Sequence, residues 1–144
     1  MALLHGTCID VAGVGVLLRG PAGSGKSDLA LRLIDGGARL IADDQVEVEH
    51  LDDALVACAP PAIAGMMEVR GVGLVTVPWQ PRGRLGLVVD LVPPEKVERL
   101  PATSTTSFQG VDITRVALTP FEASACAKVR LAARATREKL VLSQ

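Results

Sequence analysis

The sequence contains no tyrosine and no asparagine, and aromatic residues make up only 2% of its 144 positions. A core built from this chain must be packed from Val, Leu, Ile and Ala rather than around rings. Cys8, Cys58 and Cys126 are few, distant from one another and odd in number, and no Cys-x-x-Cys or Cys/His spacing occurs. A disulfide framework and a zinc site are thereby excluded, leaving isolated, buried thiols of a reducing compartment. No apolar run approaches the ~18 residues of a membrane span. Met1 to Asp10 lacks the basic segment and long apolar stretch of a secretion signal, so a cytoplasmic location is expected. Neither sign of charge dominates. A formal net charge of -1 argues against a surface given over to nucleic acid, and no membrane or nucleic-acid partner is expected.

What is present is ordinary in bulk and specific in detail. The length suits one domain, read here as residues 1–144, large enough to bury its own core. Cys8 to Val11 and Val14 to Arg19 read as two strands joined at Gly13. The apolar run Val14-Gly15-Val16-Leu17-Leu18 suits a strand covered on both faces. A glycine-rich loop follows, and then Leu29, Leu33 and Ile34 recur at helical spacing from about Lys26 to Asp35, ending at Gly36-Gly37. Further strands are predicted at Arg39 to Ala42, Gln45 to His50, Leu55 to Cys58, Met66 to Arg70, Leu74 to Val77, Leu85 to Leu91 and Val111 to Leu118. A short helical turn is expected after Pro93-Pro94, taking in Lys96, Val97 and Arg99. Pro101 to Gly110, rich in Ser and Thr, is expected to be a mobile loop. Phe121 to Leu140 reads as a C-terminal helix. The fold class is α/β, a mixed sheet with these two helices. The basic residues Lys128, Arg130, Arg134, Arg137 and Lys139 of the last helix suit a solvated face more than an acidic partner.

Gly20-Pro21-Ala22-Gly23-Ser24-Gly25-Lys26-Ser27 matches the pattern G-x-x-x-x-G-K-S/T in full, after an apolar strand and at the start of a helix. In such a loop backbone N–H groups converge on phosphate oxygens, assisted by the partial positive charge of the helix N-terminus. Lys26 is then placed to reach the β- and γ-phosphates, and the Ser27 hydroxyl to ligate Mg2+. A nucleoside triphosphate with magnesium is the expected ligand. The guanine motif (Asn/Thr)-Lys-x-Asp is absent, which sets GTPases aside. A long apolar strand ending in a Walker B Asp is not evident from the pattern. Instead the adjacent carboxylates Asp43-Asp44 stand at a strand end, where two like charges are costly unless a metal or proton satisfies them. Such a pair suits general-base chemistry at a magnesium–nucleotide site.

Taken together, these segments resemble a known family. His5-Gly6, Gly13 to Leu17, and Leu40-Ile41-Ala42-Asp43-Asp44 are similar to the corresponding stretches of HPr kinase/phosphorylase. Glu68-Val69-Arg70-Gly71-Val72-Gly73-Leu74 resembles that family's signature (Glu, Ile or Val, Arg, Gly, aliphatic, Gly, aliphatic). The resemblance runs from His5 to about Arg99 and implies a P-loop kinase core related to phosphoenolpyruvate carboxykinase. It also implies ATP- and Mg2+-dependent phosphorylation of a serine on an HPr-like phosphocarrier, with phosphate-driven removal of that group left open. On this resemblance Asp43 takes the proton from the substrate serine, and Asp44 and His5 position it and tune its charge. Glu68 lies near the metal with Ser27, and Arg99 corresponds to a mobile-loop arginine. From the residues alone, His5 reads more readily as a satisfied N-terminal histidine, and Glu68 with Arg70 as an exposed strand pair. The chain departs from the family at Asp28, where Glu is usual. It also has Thr119-Pro120-Phe121-Glu122-Ala123-Ser124 where a Pro-Gly-(Arg/Lys)-Asn element is common. With its core beginning near Met1, it resembles the short alphaproteobacterial form without an N-terminal domain. A homo-oligomer, a P-loop kinase of small molecules and a non-catalytic nucleotide sensor remain open.

Overall fold

A computed structural model describes residues 1–142. Eleven strands and two helices follow in chain order: β1 Ala2–His5, β2 Thr7–Val11, β3 Val14–Arg19, α1 Lys26–Asp35, β4 Arg39–Ala42, β5 Gln45–Leu51, β6 Ala54–Cys58, β7 Met66–Val69, β8 Gly73–Thr76, β9 Arg82–Leu91, β10 Ser104–Phe108, β11 Val111–Leu118 and α2 Ala125–Leu142. Nine of the strands form one mixed sheet in the order β1-β5-β6-β9-β3-β2-β4, with β11 also pairing to β9 and β10 to β11. Strand β9 pairs in parallel with both β3 and β11, and the other pairings of this sheet are antiparallel. β7 and β8 stand apart as a hairpin. The fold is α/β with a curled mixed sheet.

The period of the sequence explains where each element lies. Val14 to Leu18 are all buried because β3, central in the sheet between β2 and β9, has the helices packed on one face and the curl of the sheet on the other. One core packs α1 and α2 on the sheet through Ile9, Val16, Leu18, Leu29, Leu33, Val89 and Val129. Leu29 and Leu33 are wholly buried, and each such side chain stabilises the fold by about 1.5–3 kcal/mol. A second core fills the curl between β1, β5 and β6 and the opposite face of the sheet, through Cys8, Leu17, Val46, Val48, Leu55 and Val88. Alternation along β3 therefore serves two cores at once: Val16 and Leu18 face the helices, Leu17 the curl. No described helix is long and apolar enough to cross a membrane.

Several expectations change. Ser104–Phe108, read as part of a mobile loop, is a strand paired antiparallel to β11. Its half-buried Ser104, Thr106 and Phe108 alternate with exposed Thr105 and Ser107, a strand period carried by hydroxyl side chains instead of apolar ones. Ala2–His5 is an additional strand whose partner, β5, lies some forty residues away, a pairing that local pattern does not announce. The last helix begins at Ala125, since Thr119 to Ser124 is drawn off to pack beside the glycine-rich loop. The helical turn after Pro93 spans only Pro94–Lys96. Of the cysteines, Cys8 is buried while Cys58 and Cys126 are only partly so, and all three are free thiols.

Candidate active site

The register of the sheet brings the carboxyl ends of β3, β4, β9 and β11 to one edge. Thr7 lies opposite Leu18, Cys8 opposite Ala42, Arg19 opposite Asp90 and Asp90 opposite Ala117. Open α/β sheets bind ligands at this edge. The loop from Gly20 to Ser27 leaves β3 here and enters α1 through Gly25, whose φ of +97° is left-handed. A Cβ at Gly25 would also come within 2.9 Å of both Pro120 Cγ and Phe121 Cζ. Only glycine meets both conditions. No side chain caps α1, so its first-turn N–H groups remain open to an anion. The Ser24 Oγ is buried without a partner among the described residues. A buried orphan hydroxyl facing this loop suits a phosphate oxygen. Lys26 Nζ folds over the loop and donates to the Gly20 carbonyl at 2.5 Å and the Pro21 carbonyl at 3.2 Å.

Asp43 and Asp44 follow β4 at the same edge. Asp43 Oδ1 accepts the Thr7 hydroxyl at 3.0 Å and Oδ2 accepts the Glu68 backbone N–H at 3.3 Å, so both oxygens are held from different elements. Burial pushes the Asp43 carboxyl above its ordinary value, the two hydrogen bonds oppose this, and the charges of Asp44 and Glu68 add to it. A carboxylate whose proton affinity is raised is a better base. Asp44 adopts a left-handed φ of +69°. Its carbonyl accepts the Gly6 N–H, and its carboxylate stands 3.6 Å from His5 Nδ1. That pair is largely open to water, at 86% and 72% exposure, and contributes little as an ion pair. The Glu68 side chain is exposed on β7. The structure thus gathers His5, Asp43, Asp44 and Glu68 around one strand junction. Arg99 is exposed in the bend beyond Pro94–Lys96, with no ion pair among the described residues.

Three features were not singled out from the sequence. Thr7 is buried and is the hydroxyl that holds Asp43. No local signal marked it, since Thr7 shares its strand with a second polar residue, Asp10. The apolar strand that carries an Asp close to its end is β9, parallel to the P-loop strand and closing on Leu-Val-Val-Asp90-Leu91, but its carboxylate is engaged. Arg19 binds Asp90 bidentately at 2.7 and 3.0 Å, Arg115 donates to the same carboxylate, and the Arg19 guanidinium lies 5.7 Å from the Phe108 ring centroid. Burial raises the Asp90 carboxyl, but the hydrogen bonds and charges of the two arginines outweigh it and hold the group below its ordinary value. A carboxylate so occupied is poorly placed to receive a metal. The third feature is Arg32, which pairs with Asp28 at 3.0 Å and donates to the Pro120 carbonyl, fastening the Thr119 to Ser124 segment against the loop.

Among the described residues no three metal-ligating side chains converge. The available donors, Ser27, Asp43, Asp44 and Glu68, are hard oxygens. Few protein oxygens completed by water and phosphate is the usual arrangement for Mg2+.

Residues 1–140 match the family model described as HPr Serine kinase C-terminal domain. The chain belongs to this family. It is 39% identical over 127 residues to an HPr kinase/phosphorylase of Limosilactobacillus reuteri, covering 80% of this chain and 40% of that one. It is 47% identical over 75 residues to an HPr kinase/phosphorylase of Clostridium tetani, covering 52% of this chain and 25% of that one. It therefore spans well under half the length of these curated relatives. The structure of the Hpr(Ser) kinase/phosphatase from Coxiella burnetii superposes with a TM-score of 0.86 at 25% identity, over 97% of this chain and 99% of that one. The HPr kinase domain fold accordingly covers almost the whole chain.

Proposed function

We propose that this domain transfers the γ-phosphoryl group of ATP to a serine hydroxyl of an HPr-like phosphocarrier protein. The observation that carries the reading is Asp43: a carboxylate of raised proton affinity, held by Thr7 and Glu68, at the same sheet edge as a complete P-loop. The loop N–H groups and the start of α1 cradle the phosphates of ATP. Lys26 exchanges its bonds to the Gly20 and Pro21 carbonyls for phosphate oxygens and neutralises charge on the transferring group. Mg2+, held by Ser27 with Glu68 nearby, supplies further charge neutralisation when bound. Asp43 orients the serine hydroxyl and accepts its proton as the new P–O bond forms and the bond to the β-phosphate oxygen breaks. Asp44 and His5 keep that junction polar and tune its charge, and Arg99 is assigned to the protein-substrate side. With inorganic phosphate as acceptor, a phosphate oxygen attacks the phosphoserine phosphorus to form pyrophosphate, and Asp43 returns its proton to the serine oxygen as that P–O bond breaks. A cytoplasmic location accords with a phosphocarrier substrate.

The test is phosphoryl transfer from labelled ATP to purified HPr, with Asp43→Asn beside the parent chain. We expect label on a serine, and a loss on the order of 10²- to 10⁴-fold in the variant with nucleotide affinity retained. Full activity in Asp43→Asn would show that the base is another group. Transfer to a small metabolite, in the absence of protein substrate, would replace the phosphocarrier as acceptor.

A further inference from the structure

The far end of α1, one helix length from the P-loop, borders a cavity of about 390 Å³. Its wall includes Arg39 at the start of β4, Arg130 and Arg134 one turn apart on α2, and the Gly36-Gly37 stop of α1. The guanidiniums of Arg39, Arg130 and Arg134 have no ion-pair partner among the described residues. Arg137, a turn further along α2, donates to the Ala12 carbonyl at 3.3 Å on the same side. The one carboxylate in the wall, Asp10, is occupied: it accepts the Gly13 N–H at 3.2 Å and the Gln80 side-chain amide at 3.3 Å. Asp35, exposed at the end of α1, is the other nearby acid.

A solvated helix face explains Arg134 alone, and the negative end of α1 explains one cation. Neither accounts for three arginines, drawn from two elements, lining one cavity. Like charges a turn apart on a helix repel by about 0.2–0.5 kcal/mol, and Arg39 adds to this from the sheet. Gly36 supplies a second observation. Its φ of -89° is open to any residue, so the backbone does not demand glycine there. A Cβ at Gly36 would overlap the Arg130 guanidinium. The Arg130 guanidinium thus lies directly against the Gly36 backbone in the cavity wall, at the end of a side chain free to move. The Gly36, Gly37 and Ala38 N–H groups are all committed to carbonyls of α1, so the free donors are the guanidiniums themselves.

We propose that Arg39, Arg130 and Arg134 form a second oxyanion site, distinct from the P-loop, for a small ligand carrying a phosphate dianion. Guanidinium forks match such an oxyanion bidentately. A cavity of this size admits a small molecule and no macromolecule. Free phosphate and a small phosphomonoester share the chemistry that the site recognises.

The experiment is amide-resolved NMR titration of the full chain with inorganic phosphate and, separately, with glycerol 3-phosphate. Gly36 to Arg39 report this site, and Gly20 to Ser27 report the P-loop. We expect saturable shifts at Gly36 to Arg39 that persist in Lys26→Met. In Arg39→Ser/Arg134→Ser they should weaken at least tenfold while the P-loop shifts stay as in the parent, which also shows that the double variant is folded. Tighter saturation by glycerol 3-phosphate would assign the site to monoesters, and tighter saturation by phosphate would assign it to the free ion. Absence of saturable shifts at Gly36 to Arg39 with either probe would overturn the proposal. So would their reproduction by sodium chloride at equal ionic strength. The readout requires no catalysis, so it stands or falls independently of the kinase reading.

Discussion

Replacing Thr7 by Val removes one hydroxyl, keeps the shape and leaves the strand intact, so its consequences fall on Asp43. In the parent, the hydroxyl donates to Asp43 Oδ1 at 3.0 Å and opposes the upward pull of burial on that carboxyl. A hydrogen bond to a charged group contributes about 1.5–3 kcal/mol. Asp43 is partly open to water, which favours the lower end, and one pH unit corresponds to about 1.4 kcal/mol. The acid limb of kcat/KM for transfer to HPr should therefore move up by about one pH unit, with a plateau above it close to the parent's. Stability should change with the same sign. The Asp43 carboxyl is raised in the folded state, so its contribution is full below the unfolded value of 3.8 and declines as pH rises through the folded one. Thr7→Val raises the folded value further. The two chains should unfold alike near pH 3.5 in urea, and the variant should be weaker by about 1–1.5 kcal/mol at pH 7. Thr7→Ser, which keeps the donor, should restore the parent profile. An unmoved acid limb in Thr7→Val would refute the assignment of Thr7 as the group that holds and tunes Asp43.

Gly25→Ala places a Cβ on a left-handed residue and against Pro120 and Phe121. It should cost about 1–2 kcal/mol of stability and, by distorting the loop, at least about tenfold in ATP affinity by calorimetry; unchanged affinity would show that the loop tolerates the displacement. Asp90→Asn leaves Arg19 and Arg115 facing each other without their shared carboxylate. A loss of about 1.5–3 kcal/mol is expected at pH 7. Because the parent carboxyl is depressed, its contribution is present above the unfolded value of 3.8 and lost as pH falls through the folded one. Unfolding midpoints of variant and parent should therefore converge in strong acid, and a gap independent of pH would mean that the charge is not what holds the triad.

The sequence alone determined the P-loop, because a phosphate cradle is local: glycines for the backbone, a lysine and a serine at set spacing, an apolar strand before and an amphipathic helix after. It also determined the two-sided burial of Val14 to Leu18, since only a central strand tolerates so continuous an apolar run. The Asp43-Asp44 pair was legible as two carboxylates at a strand end, and no more than that. What only the tertiary structure decided is which groups surround them. Thr7 reaches Asp43 because β2 lies between β3 and β4, and the Glu68 N–H reaches it because a separate hairpin folds back over the junction. Ser104 to Phe108 became a strand through β11, not through its own composition. Asp90 lost its freedom to two arginines from neighbouring strands. Arg130 and Arg134 were legible as charges on a helix, but it took the packing of α2 beside the end of α1 to bring them into one cavity wall with Arg39. Local pattern records what a segment can become; hydrogen bonds and charges shared between distant segments exist only once the sheet has set their register.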